Sequence, residues 1–270
     1  MNRDELRWCL AAPRPAAGFR SRMVDVLGLR LHVRSRTGHD PAEPRWLLLH
    51  GLAVSHRYLM PTATAFEHGD VLVPDLPGFG LSQRPPTTFG PGRHADVVAA
   101  LLDVSGVSGA CVLGNSFGCQ VAAELAVRRP DLVALLVLVG PTVDPAAPTA
   151  AGQARRWLRD LLREDPRQAR ILAADLRDAG PQRVAATLRH SVRHHIEDVL
   201  PHVAAPVLFL RGEHDPIAPP RWLTTATAIT PDAIAAPVPW AAHNAVTTAG
   251  PAVAAYATAF AEQVRLRATR

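Results

Sequence analysis

One short segment constrains this chain more than any other, the pentapeptide Gly114-Asn115-Ser116-Phe117-Gly118. Residues 110–113 before it form an apolar run typical of a buried strand, and residues 119–129 after it have apolar positions at helical spacing. The glycines let the backbone turn sharply from strand to helix without a clash at Cβ, so the serine hydroxyl stands exposed where the helix begins. The helix N-terminus and the N–H of Phe117 favour negative charge at that point. The segment therefore predicts that Ser116 is a nucleophile.

Strand-like and helix-like segments alternate along most of the chain. The pattern predicts an antiparallel hairpin at 23–36, broken at Gly28, and strands at 46–49, 71–73, 110–113, 132–139, 206–210 and 233–238. Helices are predicted between them at 55–67, 94–105, 119–129, 220–229 and 247–267. Strands that alternate with helices indicate an α/β fold, in which a mostly parallel, twisted sheet is covered by helices on both faces.

This alternation stops between residues 142 and 200, where no strand-like run occurs. Two apolar stripes at helical spacing predict amphipathic helices there. One stripe consists of Trp157, Leu158, Leu161 and Leu162, and the other of Val184, Leu188, Val192, Ile196 and Val199. We therefore predict one domain divided into a lead-in at 1–22, a core sheet at 23–141 and 203–270, and a helical lid inserted at 142–202.

A serine nucleophile needs a base, and the base needs an acid that orients it. Two loops that follow predicted strands supply these groups in the chain order Ser, acid, His. Asp215 lies in the loop after the strand ending at Leu210, and His243 lies in the loop after the strand ending near Val238. Because ligand chemistry in open α/β sheets sits at the carboxyl ends of strands, we expect both side chains to lie near Ser116.

Two alternatives remain open for these roles. His214 stands beside Asp215 and is a second candidate for the histidine, although adjacent residues on one loop do not easily form the relay. Asp144 follows the strand ending at Val139 and is a second candidate for the acid.

Other polar residues have structural interpretations. We expect Glu213 to stabilise its loop and His50, which precedes a glycine at a strand end, to shape the loop that binds an oxyanion. The histidines His190, His194 and His195 have helical spacing that suits a metal, but Glu197 is their only obvious partner, so we interpret them as a face of the lid.

Composition excludes several other classes of protein. The chain has 270 residues, of which 48% are hydrophobic and 20% charged, as in folded globular proteins. Its longest apolar run, 132–139, is too short to span a membrane. The first residues mix Arg3 and Arg7 with acidic side chains and lack a long apolar segment, so we expect no cleaved leader and a cytoplasmic location.

Net charge and cysteine content exclude further possibilities. The net charge of +5 is modest and does not imply nucleic-acid binding; every one of the 29 basic residues is arginine. The three cysteines, Cys9, Cys111 and Cys119, are odd in number and lack metal-ligand spacing. We therefore expect neither a metal nor a disulfide framework.

Several blocks of this sequence, in this order, resemble the α/β-hydrolase superfamily from about residue 23 onward. The blocks are Leu48-Leu49-His50-Gly51, Asp75-Leu76-Pro77-Gly78-Phe79-Gly80-Leu81-Ser82, the segment around Ser116, Gly212-Glu213-His214-Asp215 and Ala242-His243. The resemblance implies the α/β-hydrolase fold, a catalytic triad of Ser116, His243 and Asp215, and an oxyanion hole formed by the backbone N–H groups of Leu52 and Phe117. It implies no metal and no organic cofactor.

The reaction that this resemblance implies is acyl transfer to Ser116, with a small-molecule carboxylic ester or related acyl compound as substrate. The form Gly-Asn-Ser-Phe-Gly is similar to that of small esterases and of carbon–carbon bond hydrolases that act on ring-cleavage products. Cys119 departs from both groups, which usually have another glycine after Gly118. Residues 52–55 lack the Gly-Pro-Gly run common in the carbon–carbon hydrolases, which weakens that narrower resemblance. Carbon–carbon cleavage and a non-hydrolytic role on the same fold remain alternatives.

The charge of the predicted lid has two interpretations. Residues 155–193 contain ten arginines and five acidic residues, a local net charge of +5. These arginines either pair with acids on solvated helix faces or form an electropositive mouth that attracts anionic or carrier-bound acyl substrates.

Overall fold

A computed structural model describes residues 18–38, 40 and 42–269. Most of the predicted lead-in, with Cys9, lies outside these residues. The strands are β1 (Arg20–Val26), β2 (Leu29–Arg36), β3 (Arg45–Leu49), β4 (Asp70–Pro74), β5 (Ala110–Asn115), β6 (Val133–Val139), β7 (Val207–Gly212) and β8 (Ala233–Val238). The helices are α1 (His56–Ala65), α2 (Pro91–Val104), α3 (Phe117–Arg128), α4 (Ala150–Leu161), α5 (Ala169–Ala179), α6 (Pro181–Arg193), α7 (Ile196–Val199), α8 (Pro220–Ile229), α9 (Ala245–Thr248) and α10 (Gly250–Ala268).

The eight strands form one sheet in the order β1-β2-β4-β3-β5-β6-β7-β8. The six strands from β4 to β8 in that order are parallel, and the hairpin β1–β2 joins their edge in antiparallel pairing. The chain passes from β3 outward to β4 and then returns to pair β5 on the other side of β3. Such a reversal of strand order opens a crevice at the carboxyl ends of β3 and β5, where ligands bind in open α/β sheets.

Alternate residues of the central strands pack against helices on opposite faces of the sheet. In β3, Leu47 and Leu49 belong to the apolar cluster beneath α2, α3 and α8, whereas Trp46 and Leu48 belong to the cluster beneath α1 and α10. Both faces are therefore buried, as parallel sheets require. The predicted α/β architecture, with a mostly parallel sheet covered by helices on both faces, is confirmed.

Most predicted elements lie close to their predicted positions. The bounds of α8 and β8 agree with the prediction, and Pro61 lies inside α1, which begins after the N-cap Ser55. Strand β1 begins at Arg20, three residues before the predicted hairpin, because the register with β2 continues to the pair Arg20–Ser35.

Between β6 and β7 the described chain is helical, with α4 to α7 in the helical insertion, by which we mean residues 142–202. The stripe of Trp157, Leu158, Leu161 and Leu162 does occur on and just after α4. It faces outward, with 46%, 60%, 41% and 88% of each side chain exposed, respectively. The helix instead turns polar side chains inward, including Gln153 and Asp160. Within the described residues, no helix is both long and apolar enough to cross a bilayer.

Candidate active site

Ser116 occupies a strained turn between β5 and α3. Its backbone has φ 55° and ψ −117°, outside the regions that a residue with a Cβ prefers. The turn is held by hydrogen bonds from Ser116 N to Val139 O (3.0 Å) and from Cys119 N to Ser116 O (2.9 Å). Glycine is required at 118 because a Cβ there would lie 2.3 Å from the carbonyl oxygen of Leu49. Strand pairing and close packing together therefore fix the position of the serine.

Asp215 and His243 form a buried hydrogen-bonded pair beyond the ends of β7 and β8. Asp215 Oδ1 accepts the N–H groups of Ile217 (2.7 Å) and Ala218 (3.0 Å), which fixes the carboxylate. Its Oδ2 lies 2.8 Å from His243 Nδ1. A carboxylate at Nδ1 orients the ring and leaves Nε2 for proton transfer.

Gly140 lies between the His243–Asp215 pair and the turn that carries Ser116. A Cβ at Gly140 would lie 3.0 Å from His243 Cε1 and 3.1 Å from Asp215 Oδ2. The preceding residue, Val139, accepts the N–H of Ser116. The pair and the serine therefore flank the same stretch of backbone. In the part of the chain that the structure describes, the His243–Asp215 hydrogen bond is present, whereas Ser116 Oγ is not hydrogen-bonded to His243.

The loop after β3 also lies beside the serine. A Cβ at Gly51 would lie 3.2 Å from Ser116 Cβ. His50 connects this loop to the loop after β4. Its Nδ1 lies 2.8 Å from Gly51 O, and its Nε2 accepts the N–H of Leu76 at 2.9 Å. Leu52 follows Gly51, and Phe117 is the first residue of α3, whose N–H has no acceptor within the helix.

The two alternative residues are engaged elsewhere. Asp144 is buried and forms ion pairs with Arg156 and Arg221, each at 2.7 Å. His214 packs its ring against exposed Trp240, with centroids 6.5 Å apart, and Asp215 turns its Oδ2 to His243 instead. Asp215 and His243 are therefore the acid and the histidine that the fold brings together.

The remaining candidates have structural contacts. Glu213 accepts the N–H of Trp240 at 3.1 Å and so joins the loop after β7 to the loop after β8. His194 contacts Glu124 at 2.8 Å, and His195 contacts Glu197 at 3.1 Å.

The sequence did not reveal that carboxylates of the helical insertion contact the histidine loop. Asp160 Oδ1 accepts the N–H of His243 at 3.1 Å, and Glu164 Oε1 accepts the N–H of Asn244 at 2.6 Å. The only available signal was the i, i+4 spacing of these two acids, which does not indicate a partner. The helical insertion is thus joined to the loop that carries the histidine.

These carboxylates change the protonation of the site. Burial alone lowers the pKa of His243, but the charges of Asp215, Asp160 and Glu164 outweigh that effect and raise this pKa to about 9. Burial, aided by the charge of Asp160, raises the pKa of Glu164 to about 7. Three carboxyl groups therefore stabilise the imidazolium form of His243.

A second buried polar centre lies at the end of β4, where ligand atoms of His32, His56 and Asp75 lie within 4.8 Å of one another. Asp75 Oδ2 is 2.8 Å from His32 Nδ1, and Asp75 Oδ1 is 2.9 Å from His56 Nδ1. Backbone N–H groups of His56 and Leu81 also point at these oxygens, at 2.7 and 2.8 Å. Donors directed at both oxygens suit a hydrogen-bonded carboxylate better than a cation, so we interpret this centre as structural.

Comparisons with known proteins confirm the predicted α/β-hydrolase fold. The family model described as "alpha/beta hydrolase fold" matches residues 44–188. In fold, the chain is similar to a thermophilic esterase from Thermogutta terrifontis, with a TM-score of 0.76 and 22% identity over 91% of this chain and 99% of that one.

Two curated relatives are similar in sequence over part of their length. A 2-hydroxymuconate semialdehyde hydrolase of Pseudomonas putida is 38% identical over 140 residues, 50% of this chain and 48% of the relative. Lipase LipV of Mycobacterium tuberculosis is 39% identical over 114 residues, 42% of each chain. The matched region thus spans about half or less of each relative.

Proposed function

The chain belongs to the α/β-hydrolase fold family, and on that basis we propose that it is a serine hydrolase that cleaves a carboxylic ester or related acyl bond of a small molecule. One observation carries the proposal: the hydrogen-bonded pair of His243 and Asp215 lies against Gly140, next to the residue that accepts the N–H of the strained Ser116. An oriented imidazole near a half-buried serine at a helix N-terminus is the arrangement that acyl transfer requires.

In the proposed first step, His243 Nε2 takes the proton of Ser116 Oγ while this oxygen attacks the carbonyl carbon of the substrate. The carbonyl oxygen becomes an oxyanion, which the backbone N–H groups of Leu52 and Phe117 stabilise. The oxyanion then re-forms the carbonyl, the bond to the leaving group breaks, and the leaving group takes the proton from His243. Ser116 is left acylated.

Water completes the proposed cycle. His243 takes one proton from the water molecule, and the resulting hydroxide attacks the acyl carbon. The second tetrahedral intermediate breaks its bond to Ser116 Oγ, which recovers the proton from His243. Asp215 holds Nδ1 of His243 by its hydrogen bond and stabilises the imidazolium form. The helical insertion acts as the lid over this site, and its exposed arginines favour an anionic or carrier-bound acyl group.

The test is covalent labelling with a fluorophosphonate probe, combined with turnover of p-nitrophenyl esters of increasing acyl length. We expect Ser116→Ala to lose labelling and to lower kcat/KM by about 10³-fold or more, because the nucleophile is removed. Ser108→Ala is the matched control, since Ser108 is an exposed serine outside the site. Labelling that persists in Ser116→Ala would exclude the proposed nucleophile, and an inert wild-type protein would favour a non-hydrolytic role.

Carbon–carbon bond cleavage is a second candidate. It is favoured by the 38% identity to 2-hydroxymuconate semialdehyde hydrolase over 140 residues, which are 50% of this chain. The two candidates differ in the bond broken, so the wild-type protein should be assayed with both a p-nitrophenyl ester and 2-hydroxymuconate semialdehyde. Turnover of the ester without turnover of the semialdehyde would exclude the second candidate.

A further inference from the structure

Helix α4 is oriented with its polar side inward and its apolar side outward. We call Trp157, Leu158, Leu161 and Leu162 the outer stripe; all four are exposed, Leu162 by 88%. An amphipathic helix on a globular protein normally turns its apolar side toward the core. The outer stripe is therefore a surface for which the described fold provides no cover.

Hydrogen bonds and an ion pair on the inward side hold the helix in this orientation. Gln153 donates to Ala147 O at 2.8 Å, and Asp160 accepts the N–H of His243. Arg156 donates to Ile217 O at 2.9 Å and forms an ion pair with Asp144. Rotation of α4 to bury the outer stripe would break all of these contacts and leave buried polar groups without partners. The stripe is thus kept at the surface.

Arginines outnumber acidic residues among the exposed side chains of the insertion, where Asp165 and Asp198 are the exposed acids. Three of the acidic residues of the insertion, Asp144, Asp160 and Asp175, are buried. The exposed arginines are Arg155, Arg159, Arg163, Arg170, Arg177, Arg189 and Arg193. The surface of the insertion therefore combines an apolar stripe with a surplus of cations.

A second exposed indole extends this surface. Trp240 is 86% exposed, and its ring packs against that of His214. Arg163, which follows the outer stripe, donates to His214 O at 3.0 Å. Trp240 therefore lies close to the end of the stripe, and tryptophan is the residue that prefers the boundary between lipid headgroups and acyl chains.

We propose that the outer stripe, with Trp240 and the exposed arginines of the insertion, is a docking surface for an anionic lipid bilayer. Apolar side chains would enter the headgroup boundary while the arginines contact lipid phosphates, as basic amphipathic helices do at membrane surfaces. A second copy of this chain is the less suitable occupant, because two such faces would bring like charges together.

The test is co-sedimentation with vesicles of equimolar phosphatidylcholine and phosphatidylglycerol, compared with vesicles of phosphatidylcholine alone. We expect the wild-type protein to bind the anionic vesicles and to be released by high salt. The double variant Leu158→Asn, Leu162→Asn should bind about tenfold or more weakly, because it loses apolar side chains that enter the bilayer. Both residues are exposed, so the variant should keep the thermal midpoint of the wild type.

The double variant Val104→Asn, Leu266→Asn is the matched control, since it removes two exposed apolar side chains elsewhere, 61% and 54% exposed. It should bind as the wild type does. Ser116→Ala should also bind normally, which separates docking from catalysis. The proposal is overturned if the wild type does not bind anionic vesicles, or if it binds both vesicle types equally. It is also overturned if the stripe variant instead abolishes a dimer in solution.

Discussion

At the scale of single residues, His243 faces more negative charge than its hydrogen-bonded partner supplies. Asp215 contacts the ring, Asp160 accepts the backbone N–H of the same residue, and Glu164 accepts that of Asn244. A general base must be neutral when it takes a proton. Because these carboxylates raise the pKa of His243 to about 9, much of the free protein holds an imidazolium at neutral pH.

Activity should therefore rise with pH through about 9, and removal of one carboxylate should shift this rise toward lower pH. We expect Asp160→Asn to lower the midpoint of kcat/KM against pH and to increase activity at pH 7 by about threefold or more. The asparagine Oδ1 can still accept the N–H of His243, so the loop should keep its position. The measurement is a pH profile of ester hydrolysis.

Asp232→Asn is the control for this profile. Asp232 is exposed, pairs with Arg267, and precedes β8 at the end of the strand opposite to His243. Its profile should match that of the wild type. A profile of Asp160→Asn that also matches would mean that Asp160 does not influence the base.

At the scale of elements, Gln120 of α3 connects the serine helix to the helical insertion. Its side chain is fully buried, donates to Ser191 O at 2.9 Å and His194 O at 3.2 Å, and accepts from Ser191 Oγ at 2.7 Å. These groups belong to the C-terminal end of α6, where the last carbonyls lack the usual N–H donors from a following turn of helix. One glutamine thus caps a helix that lies 71 residues further along the chain.

Gln120→Leu should loosen this end of the insertion, because the leucine fills the space but removes the donor to His194 O, the acceptor of Ser191 Oγ and one of the two donors to Ser191 O. We expect the free energy of unfolding to fall by about 2–4 kcal/mol. Hydrogen exchange should accelerate more in α6 than in β5.

The matched substitution Gln263→Leu changes an exposed glutamine of α10 and should have little effect. If exchange in Gln120→Leu accelerated equally in α6 and β5, the glutamine would stabilise the core rather than the attachment of the insertion.

At the scale of the whole molecule, Asp75 joins three parts of the fold at one carboxylate. It accepts hydrogen bonds from α1 through His56 N and from its own loop through Leu81 N, and it contacts His32 of β2. Gly80 is required beside it, because a Cβ there would lie 2.2 Å from the carboxyl group. The hairpin, α1 and the loop after β4 therefore share one buried polar centre.

Asp75→Asn should destabilise the whole domain, because one acceptor oxygen becomes an amide that faces N–H donors. We expect a loss of about 3–5 kcal/mol, the usual effect of breaking a buried charged network, measured by urea denaturation. Asp25→Asn, at an exposed aspartate of β1, is the control and should change stability by less than about 0.5 kcal/mol. Equal stability of the two variants would contradict this role.

Much of this architecture was predictable because it depends on local patterns. Apolar runs bounded by turns located the strands from β3 to β8, and the glycines around Ser116 located the turn that this serine occupies. The order of Ser116, Asp215 and His243 along the chain, each after a strand, predicted that they share one edge of the sheet. The catalytic roles of these residues stay a prediction.

The sequence by itself determined the α/β class, the order in which strands and helices follow along the chain, and the residues at the strand ends. It could do so because the periodicity of a strand or helix depends on residues close together in the chain. Only the tertiary structure decided which side of α4 faces inward. Periodicity shows that a helix has two unlike sides, but the inward side was selected by partners from distant segments, among them Asp144 and the N–H of His243. Hydrogen bonds between residues far apart in the chain leave no periodic signal in the sequence. The contacts of Asp160, Gln120 and Asp75 are therefore visible only in the tertiary structure.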